Sequence, residues 1–328
     1  MNEEKIKRIA VIGAGMMGHS IAQEFAQNDY DVVLVGRSQN RLEESLNQIR
    51  KNLAEMVQLA FIHSDDIKPT LDRIRTTTSI PDGVSDADLV IEAIVEELEQ
   101  KRDLFSQVEA ACPVHSIIAS NTSSIMPGFM AETLEHPERF LVAHYFNPPH
   151  LMPLVEIVPN SKTDTSVIEK IYTLYKTLGK KPIKCLKEAP GFIANRIQVA
   201  IWREAFNIVQ KGIATPQEVD MAVKYSFGRR FGVAGPFEIY EHNDGYDLTL
   251  QCEKYILPDM DTSQQSYDLL LDMVSKGDLG AKSGKGFYEW TEAFTKNWRA
   301  RMYQNLVEHR RRDLSDNQEA CSPKKPEI

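Results

Sequence analysis

A doubly wound α/β sheet followed by an all-α segment is the fold class this sequence predicts, and three observations predict it. Short β-branched runs alternate with helical windows through the first half of the chain. A glycine-rich turn, Gly13-Ala14-Gly15-Met16-Met17-Gly18, joins the first run to the first helix. Beyond Pro190 the apolar runs give way to helical windows broken at Gly212, Gly235-Pro236 and Gly277. Taken in order, residues 7–12 form the first strand. A helix follows, with Ile21 and Phe25 four residues apart on one face. Asp31–Val35 is a second buried strand, and 40–59 is a long polar-apolar helix. Strands are expected at 87–94, 116–120, 140–146 and 154–158. Near the end, a basic-aromatic helix (297–312) precedes a tail rich in Ser, Asp, Lys and Pro that cannot bury enough to stay folded.

Composition narrows the function. The 328 residues suit about two domains. A net charge of −9 without a basic run through the body argues against nucleic acid as a partner. No apolar stretch reaches the ~18 residues that span a bilayer, and the N-terminus runs straight into a core strand. Cys112, Cys185, Cys252 and Cys321 are widely scattered. Their spacing fits neither a disulfide framework nor a metal site, so a cytoplasmic protein without metal is expected.

The glycine turn follows a strand and opens a helix, the context a dinucleotide site requires. Gly13 allows the tight turn, Gly15 lets backbone amides reach a pyrophosphate, and Gly18 lets helix and strand pack closely. This makes the first domain Rossmann-like. The end of the second strand carries Gly36-Arg37-Ser38 where an NAD site usually has an acidic residue. With no carboxylate to repel a 2′-phosphate and a guanidinium to pair with one, NADP(H) is slightly favoured. If Arg37 is a solvated loop cation, the site takes NAD(H). Domains are expected at 1–186 (dinucleotide binding), 187–292 (helical, for substrate and dimerisation) and 293–328 (helix and flexible tail).

A second constellation joins His144 to Glu156. An imidazole beside a carboxylate can take a hydroxyl proton, because the anion holds the tautomer and stabilises the imidazolium. The two lie twelve residues apart, so only a chain reversal between two strands brings them together; Pro148, Pro149 and Pro153 suit such a reversal. On spacing alone, a satisfied structural histidine is the more common reading of His144.

Several motifs occur in one order: the glycine turn, Ser120–Ser124, His144-x-x-Asn147-Pro148, Leu154-Val155-Glu156, Pro190–Arg196, Gly235–Glu238 and Lys282–Tyr288. Together they resemble the L-3-hydroxyacyl-CoA dehydrogenase family over roughly residues 5–290. The resemblance implies that His144 is the general base and Glu156 its orienting partner. Ser123 and Asn195 are implied to hold the substrate oxygen, with hydride passing from C3 to the nicotinamide. Glu96, Lys101, Asn121, Asn147 and Lys282 match cofactor contacts, beside Gly13, Gly15, Met16, Met17, Gly18, Gly36 and Arg37. Bland readings stand beside these: Ser123 as a helix cap, Asn195 bonded to nearby backbone, Lys101 and Lys282 as surface charges.

Three departures leave the substrate open. Gly36 replaces the family's acidic residue. Residues 56–62 lack the cations that acyl-CoA relatives often carry near the CoA nucleotide. Residues 147–156 and the extension bearing Trp298 and several arginines resemble the L-gulonate 3-dehydrogenase and carnitine dehydrogenase branch. The resemblance thus implies a short-chain 3-hydroxyacyl-CoA dehydrogenase, of hydroxybutyryl type, in fatty acid metabolism. Alternatives are the same chemistry on a free 3-hydroxy acid, with Arg203, Arg229 or Arg230 clamping its carboxylate, and a non-catalytic crystallin-like protein. An apolar face at Ile193, Ile197, Ile201 and Ile208 has to be covered, and a homodimer is expected to cover it. The run His309–Arg312 is expected to be solvated.

Overall fold

The computed structural model describes residues 6–321 apart from Asp244 and Ser266. The first part builds one eight-stranded sheet from β1 (Arg8–Ile12), β2 (Asp31–Val35), β3 (Ile74–Thr77), β4 (Leu89–Glu92), β5 (Ile117–Ser120), β6 (Phe140–Tyr145), β7 (Leu154–Pro159) and β8 (Lys181–Lys184). Between them run α1 (Met16–Gln27), α2 (Gln39–Gln58), α3 (Ile67–Asp72), α4 (Ile80–Val84), α5 (Leu98–Ala111), α6 (Pro127–Ala131) and α7 (Thr165–Thr177). The strand order is β3-β2-β1-β4-β5-β6-β7-β8. The chain moves outward from β1 to β3 and then returns to β4 on the other side of β1. Helices diverge at that reversal and leave a crevice beyond the strand ends Ile12 and Glu92.

Central strands are covered on both faces, which is why they read as unbroken apolar runs rather than alternating ones. On one face Ile21 and Phe25 of α1 and Leu42, Ile49 and Leu53 of α2 pack against Val11, Leu34 and Ile91. On the other, Phe105 and Val108 of α5 meet Ala10, Ile118, Phe140 and Val142. Each large side chain so buried contributes about 1.5–3 kcal/mol.

The chain reversal that the His144–Glu156 spacing called for is present: β7 pairs antiparallel to β6, and β8 runs parallel to β7. Only eight residues join β6 to β7, too few for the crossover that a parallel pair needs. Strands β3 and β8 were not expected from the sequence; both lie at sheet edges, where half-exposed residues such as Arg75 and Lys184 blur the apolar signal.

The remaining helices are α8 (Ala194–Gln210), α9 (Pro216–Tyr225), α10 (Phe227–Arg230), α11 (Pro236–Asn243), α12 (Gly245–Ile256), α13 (Asp268–Ser275) and α14 (Glu292–Cys321). Thr215 starts α9 with a capping box, accepting the Glu218 amide while Glu218 accepts the Thr215 amide. Two compact units result: residues 1–195 with 301–328, and residues 196–300. The boundaries expected from the sequence fall after 186 and 292. Within the tail, α14 continues to Cys321, well past the helix end expected at 312; residues 322–328 lie outside the described part. The basic run is not all solvated: Arg310 is buried and donates to the carbonyls of Leu178 and Gly179. In the helical unit Arg229 stacks over Tyr225 at 4.6 Å. No described helix is long and apolar enough to cross a membrane.

Candidate active site

The glycine turn sits at the sheet's crevice. Gly13 adopts φ +116°, and a Cβ there would lie 2.4 Å from the carbonyl oxygen of Ala93. A Cβ on Gly18 would fall 1.7 Å from the carbonyl oxygen of Gly13. Ser45 of α2 donates to the Ala14 carbonyl at 2.8 Å and pins the turn. Gly15 is different: nothing stands within 4 Å of its would-be Cβ, and no side chain caps α1. Open space over the uncapped amides of a helix N-terminus fits a pyrophosphate. Met16 is exposed, while Met17 lines a cavity of about 330 Å³ with Ala93, Ile94, Glu96, Asn121, Ser123 and Ser124. At the end of β2, Gly36 is packed tight; its Cβ would meet Leu42 Cδ2 at 2.8 Å and Ala14 Cβ at 3.0 Å. Arg37 is exposed, and Ser38 caps α2 through the Arg41 amide.

Beneath the cavity lies a carboxylate cluster that the sequence reading only half saw. Glu92 is fully buried at the end of β4 and accepts from Lys101 Nζ (2.5 Å), Ser120 Oγ (2.5 Å) and the Ile94 amide (2.6 Å). Lys101, weighed above as a surface charge, is 1% exposed and also reaches Glu96 at 3.5 Å. Glu96 Oε1 accepts from Thr122 Oγ1, Ser124 Oγ and the amides of Ser123 and Ser124. Burial would raise its pKa, but the Thr122 and Ser124 hydroxyls, Lys101 and the Ser123 amide outweigh burial and hold the carboxyl below its ordinary range. A lone carboxylate ending the apolar run Leu89-Val90-Ile91 was the available signal for Glu92.

The antiparallel β6–β7 seam sets His144 directly opposite Glu156. His144 Nδ1 lies 2.8 Å from Glu156 Oε2, and both residues are buried. Glu156 Oε1 accepts the amides of Ile193 and Ala194, each at 2.9 Å. Burial again opposes ionisation, yet His144 and the two amides overcome it and lower the Glu156 pKa. The His144 ring is flanked by Phe146 and Phe192 at 4.7 and 5.5 Å. With Nδ1 engaged by the carboxylate, Nε2 is the atom left to take a proton.

The amides that hold Glu156 lead directly into Asn195, whose Nδ2 donates to the Ser123 carbonyl at 3.3 Å. Ser123 caps no helix; it sits in the loop that Glu96 gathers. Asn121 uses Oδ1 to accept the Tyr145 amide. Asn147 is exposed and opens the turn after β6 through a cis peptide to Pro148. Lys282 lies in the helical unit, in the turn that follows α13.

Comparison with known proteins fits this arrangement. The NAD binding domain of 3-hydroxyacyl-CoA dehydrogenase matches residues 8–189, and the C-terminal domain of the same enzyme matches residues 191–290. The chain belongs to the 3-hydroxyacyl-CoA dehydrogenase family. It is therefore a nicotinamide-dependent oxidoreductase that transfers hydride. The chain is 35% identical over 296 residues to the mitochondrial hydroxyacyl-coenzyme A dehydrogenase of Sus scrofa, covering 87% of this chain and 91% of that one. It is 32% identical to 3-hydroxybutyryl-CoA dehydrogenase of Clostridioides difficile, over 87% of this chain and all of that one. Among solved structures, 5-formyl-3-hydroxy-2-methylpyridine 4-carboxylic acid 5-dehydrogenase, an NAD+ dependent dismutase, superposes with a TM-score of 0.87 at 29% identity. That match covers 94% of this chain and 99% of the other.

Proposed function

We propose that this family member oxidises the 3-hydroxyl of a short-chain 3-hydroxyacyl-CoA, or runs the reverse reduction, with His144 as general base. The observation that carries the proposal is the 2.8 Å contact between His144 and Glu156 across an antiparallel seam. In this reading Nε2 of His144 removes the hydroxyl proton. Glu156 orients the ring and stabilises the imidazolium, worth about 10²–10⁴-fold in rate for a positioned base. Ser123 and Asn195, tied by one hydrogen bond, hold the oxygen whose charge changes as alkoxide becomes ketone. The amides at Gly15, Met16 and Met17 take the pyrophosphate; Gly13 and Gly18 keep that turn closed. Glu96, Asn121 and Asn147 face the cofactor, Lys101 acts on it through Glu96, and Lys282 is kept as a further contact. When bound, the nicotinamide accepts or returns hydride. A Cβ on Gly36 would press on Leu42, the position offers no carboxylate to repel a 2′-phosphate, and exposed Arg37 supports NADP(H) over NAD(H).

A second reading, a free 3-hydroxy acid as substrate, draws support from α14. Arg311 donates to the Leu59 carbonyl, so the helix sits on the uncharged turn after α2. The dismutase structure, named for a pyridine carboxylic acid, superposes with a TM-score of 0.87, against 0.73 and 0.65 for two acyl-CoA dehydrogenases. Initial rates with NADH and NADPH against acetoacetyl-CoA and a panel of free 3-oxo acids separate the two. No turnover with acetoacetyl-CoA at saturation removes the first.

A homodimer and a cytoplasmic setting belong to the same proposal. In residues 196–300, Asn207 is the one buried residue among those described, while Trp202, Val233, Phe237 and Tyr255 are half or more exposed. A unit without a core needs a cover, and a second copy supplies it; sedimentation at micromolar concentration should give twice 37.2 kDa. The buried free thiols of Cys112 and Cys185 suit a reducing compartment.

A further inference from the structure

The turn Phe146–Pro153, which leaves β6 two residues after His144 and carries Asn147, is held from beneath by polar groups of α1, α14 and the segment before β8. Ser20 of α1 lies with Oγ 2.6 Å from His150 Nδ1 and accepts the His150 amide at 3.3 Å. Lys180, just before β8, donates to the carbonyls of Pro149 (2.5 Å) and Met152 (3.2 Å). Tyr303 of α14 places its hydroxyl 3.2 Å from His150 Nε2 and donates to the Asn52 carbonyl at 3.4 Å. His150, Ser20 and Lys180 are all nearly inaccessible to solvent. One neutral tautomer satisfies every partner. Ser20 O–H donates to Nδ1, Nε2–H donates to the Tyr303 oxygen, and the Tyr303 hydrogen goes to Asn52.

Charge runs beside this path. Glu24 of α1 is buried, 3.1 Å from Lys180 Nζ and 3.9 Å from Arg310, and Arg310 caps the carbonyls that end α7. Val307, one turn of α14 away from Tyr303 and Arg310, is buried. None of these α14 residues falls within the two matched family domains, which end at residue 290.

We propose that Tyr303 is a positioning residue for dinucleotide binding: through His150 it fixes the turn that carries Asn147, so the second half of α14 is part of the active-site scaffold. A side chain that merely glued the helix down would not need a hydrogen-bonded path ending in that turn. This rests on the cofactor-side assignment of Asn147 made above.

The test is a double-mutant cycle in the full-length chain, read by nicotinamide fluorescence titration with NADH and NADPH in turn. Tyr303→Phe keeps the ring and removes the hydroxyl. Dinucleotide affinity is expected to fall about fivefold, the effect of one net hydrogen bond. Asn147→Ala is expected to weaken binding on its own, and Tyr303→Phe should then add almost nothing. Unchanged affinity in a folded Tyr303→Phe chain overturns the inference, and so does full additivity in the double variant. If Asn147→Ala alone binds as wild type, the assignment of Asn147 fails and the inference falls with it; a weakened Asn147→Ala beside an unchanged Tyr303→Phe removes the inference alone.

Discussion

Glu156→Gln is the sharpest test of the acid–base pair, because the structure dictates which way the new amide must face. Glu156 Oε1 accepts two backbone amides at 2.9 Å, and only the carboxamide oxygen of Gln can do the same. Keeping both bonds turns the NH2 toward His144 Nδ1. The imidazole must then accept at Nδ1 and carry its hydrogen on Nε2, where it cannot take a substrate proton. Flipping the amide to rescue the tautomer forfeits two bonds, about 2 kcal/mol at ~1 kcal/mol each. The variant also loses the ion pair with the imidazolium, worth about 4 kcal/mol at an effective dielectric near 20. If half of that is felt in the transition state, the two effects sum to about 4 kcal/mol, or roughly 10³ in rate. The expectation is a kcat about 10³-fold lower for 3-hydroxybutyryl-CoA oxidation at saturating cofactor, with dinucleotide affinity within about twofold of wild type. A kcat within threefold of wild type would falsify the assignment of His144 and Glu156.

Three further outcomes follow from geometry. Gly18→Ala is expected to lower the melting temperature sharply, because its methyl group meets backbone at 1.7 Å, whereas Gly15→Ala should melt as wild type yet bind NADH at least ~10-fold more weakly; equal melting temperatures and equal affinities would sink this. The ring of His150 is pushed down to about 3, by burial first and then by Lys180 and His19. Its folded value lies below the ordinary 6.5, so its contribution is intact above pH 6.5. The contribution falls by about 1.4 kcal/mol per pH unit below that, toward about pH 3, while Glu156 and Glu96 add losses only below their ordinary 4.5. Urea melts from pH 7 to 4.5 should show this slope, and it should flatten in His150→Gln; parallel slopes count against it. Arg37→Glu is expected to shift the NADPH/NADH preference more than about tenfold toward NADH, measured as a ratio of kcat/KM; an unmoved ratio means Arg37 does not face a 2′-phosphate.

Much of the fold was legible because central strands of a parallel sheet are buried on both faces. The runs at β1, β2, β4, β5 and β6 are unbroken apolar segments for that reason. The edge strands Ile74–Thr77 and Lys181–Lys184 each bury one residue and leave the others partly or wholly exposed, so they read as loop. Strand direction leaves little trace in composition; the short proline-rich connection after Tyr145 was the one signal for the β6–β7 reversal, and β8 carried none. At the site, His144, Glu156, Ser123 and Asn195 were visible as motifs. Their meeting through Ile193, Ala194 and the Ser123 carbonyl was not, since backbone groups have no sequence signature. Glu92, Ser20, His150 and Tyr303 stayed hidden because each is a polar residue whose partner lies 9 to 153 positions away.

The opposed positions of His144 and Glu156 on neighbouring strands have an engineering consequence. Their twelve-residue interval reflects the length of the link between two strands, and the reaction makes no demand on that number. A residue inserted inside either strand, however, turns everything past it to the other side of the sheet. Proton acceptor and anion would then face different layers of the protein, with no change in the identity of either.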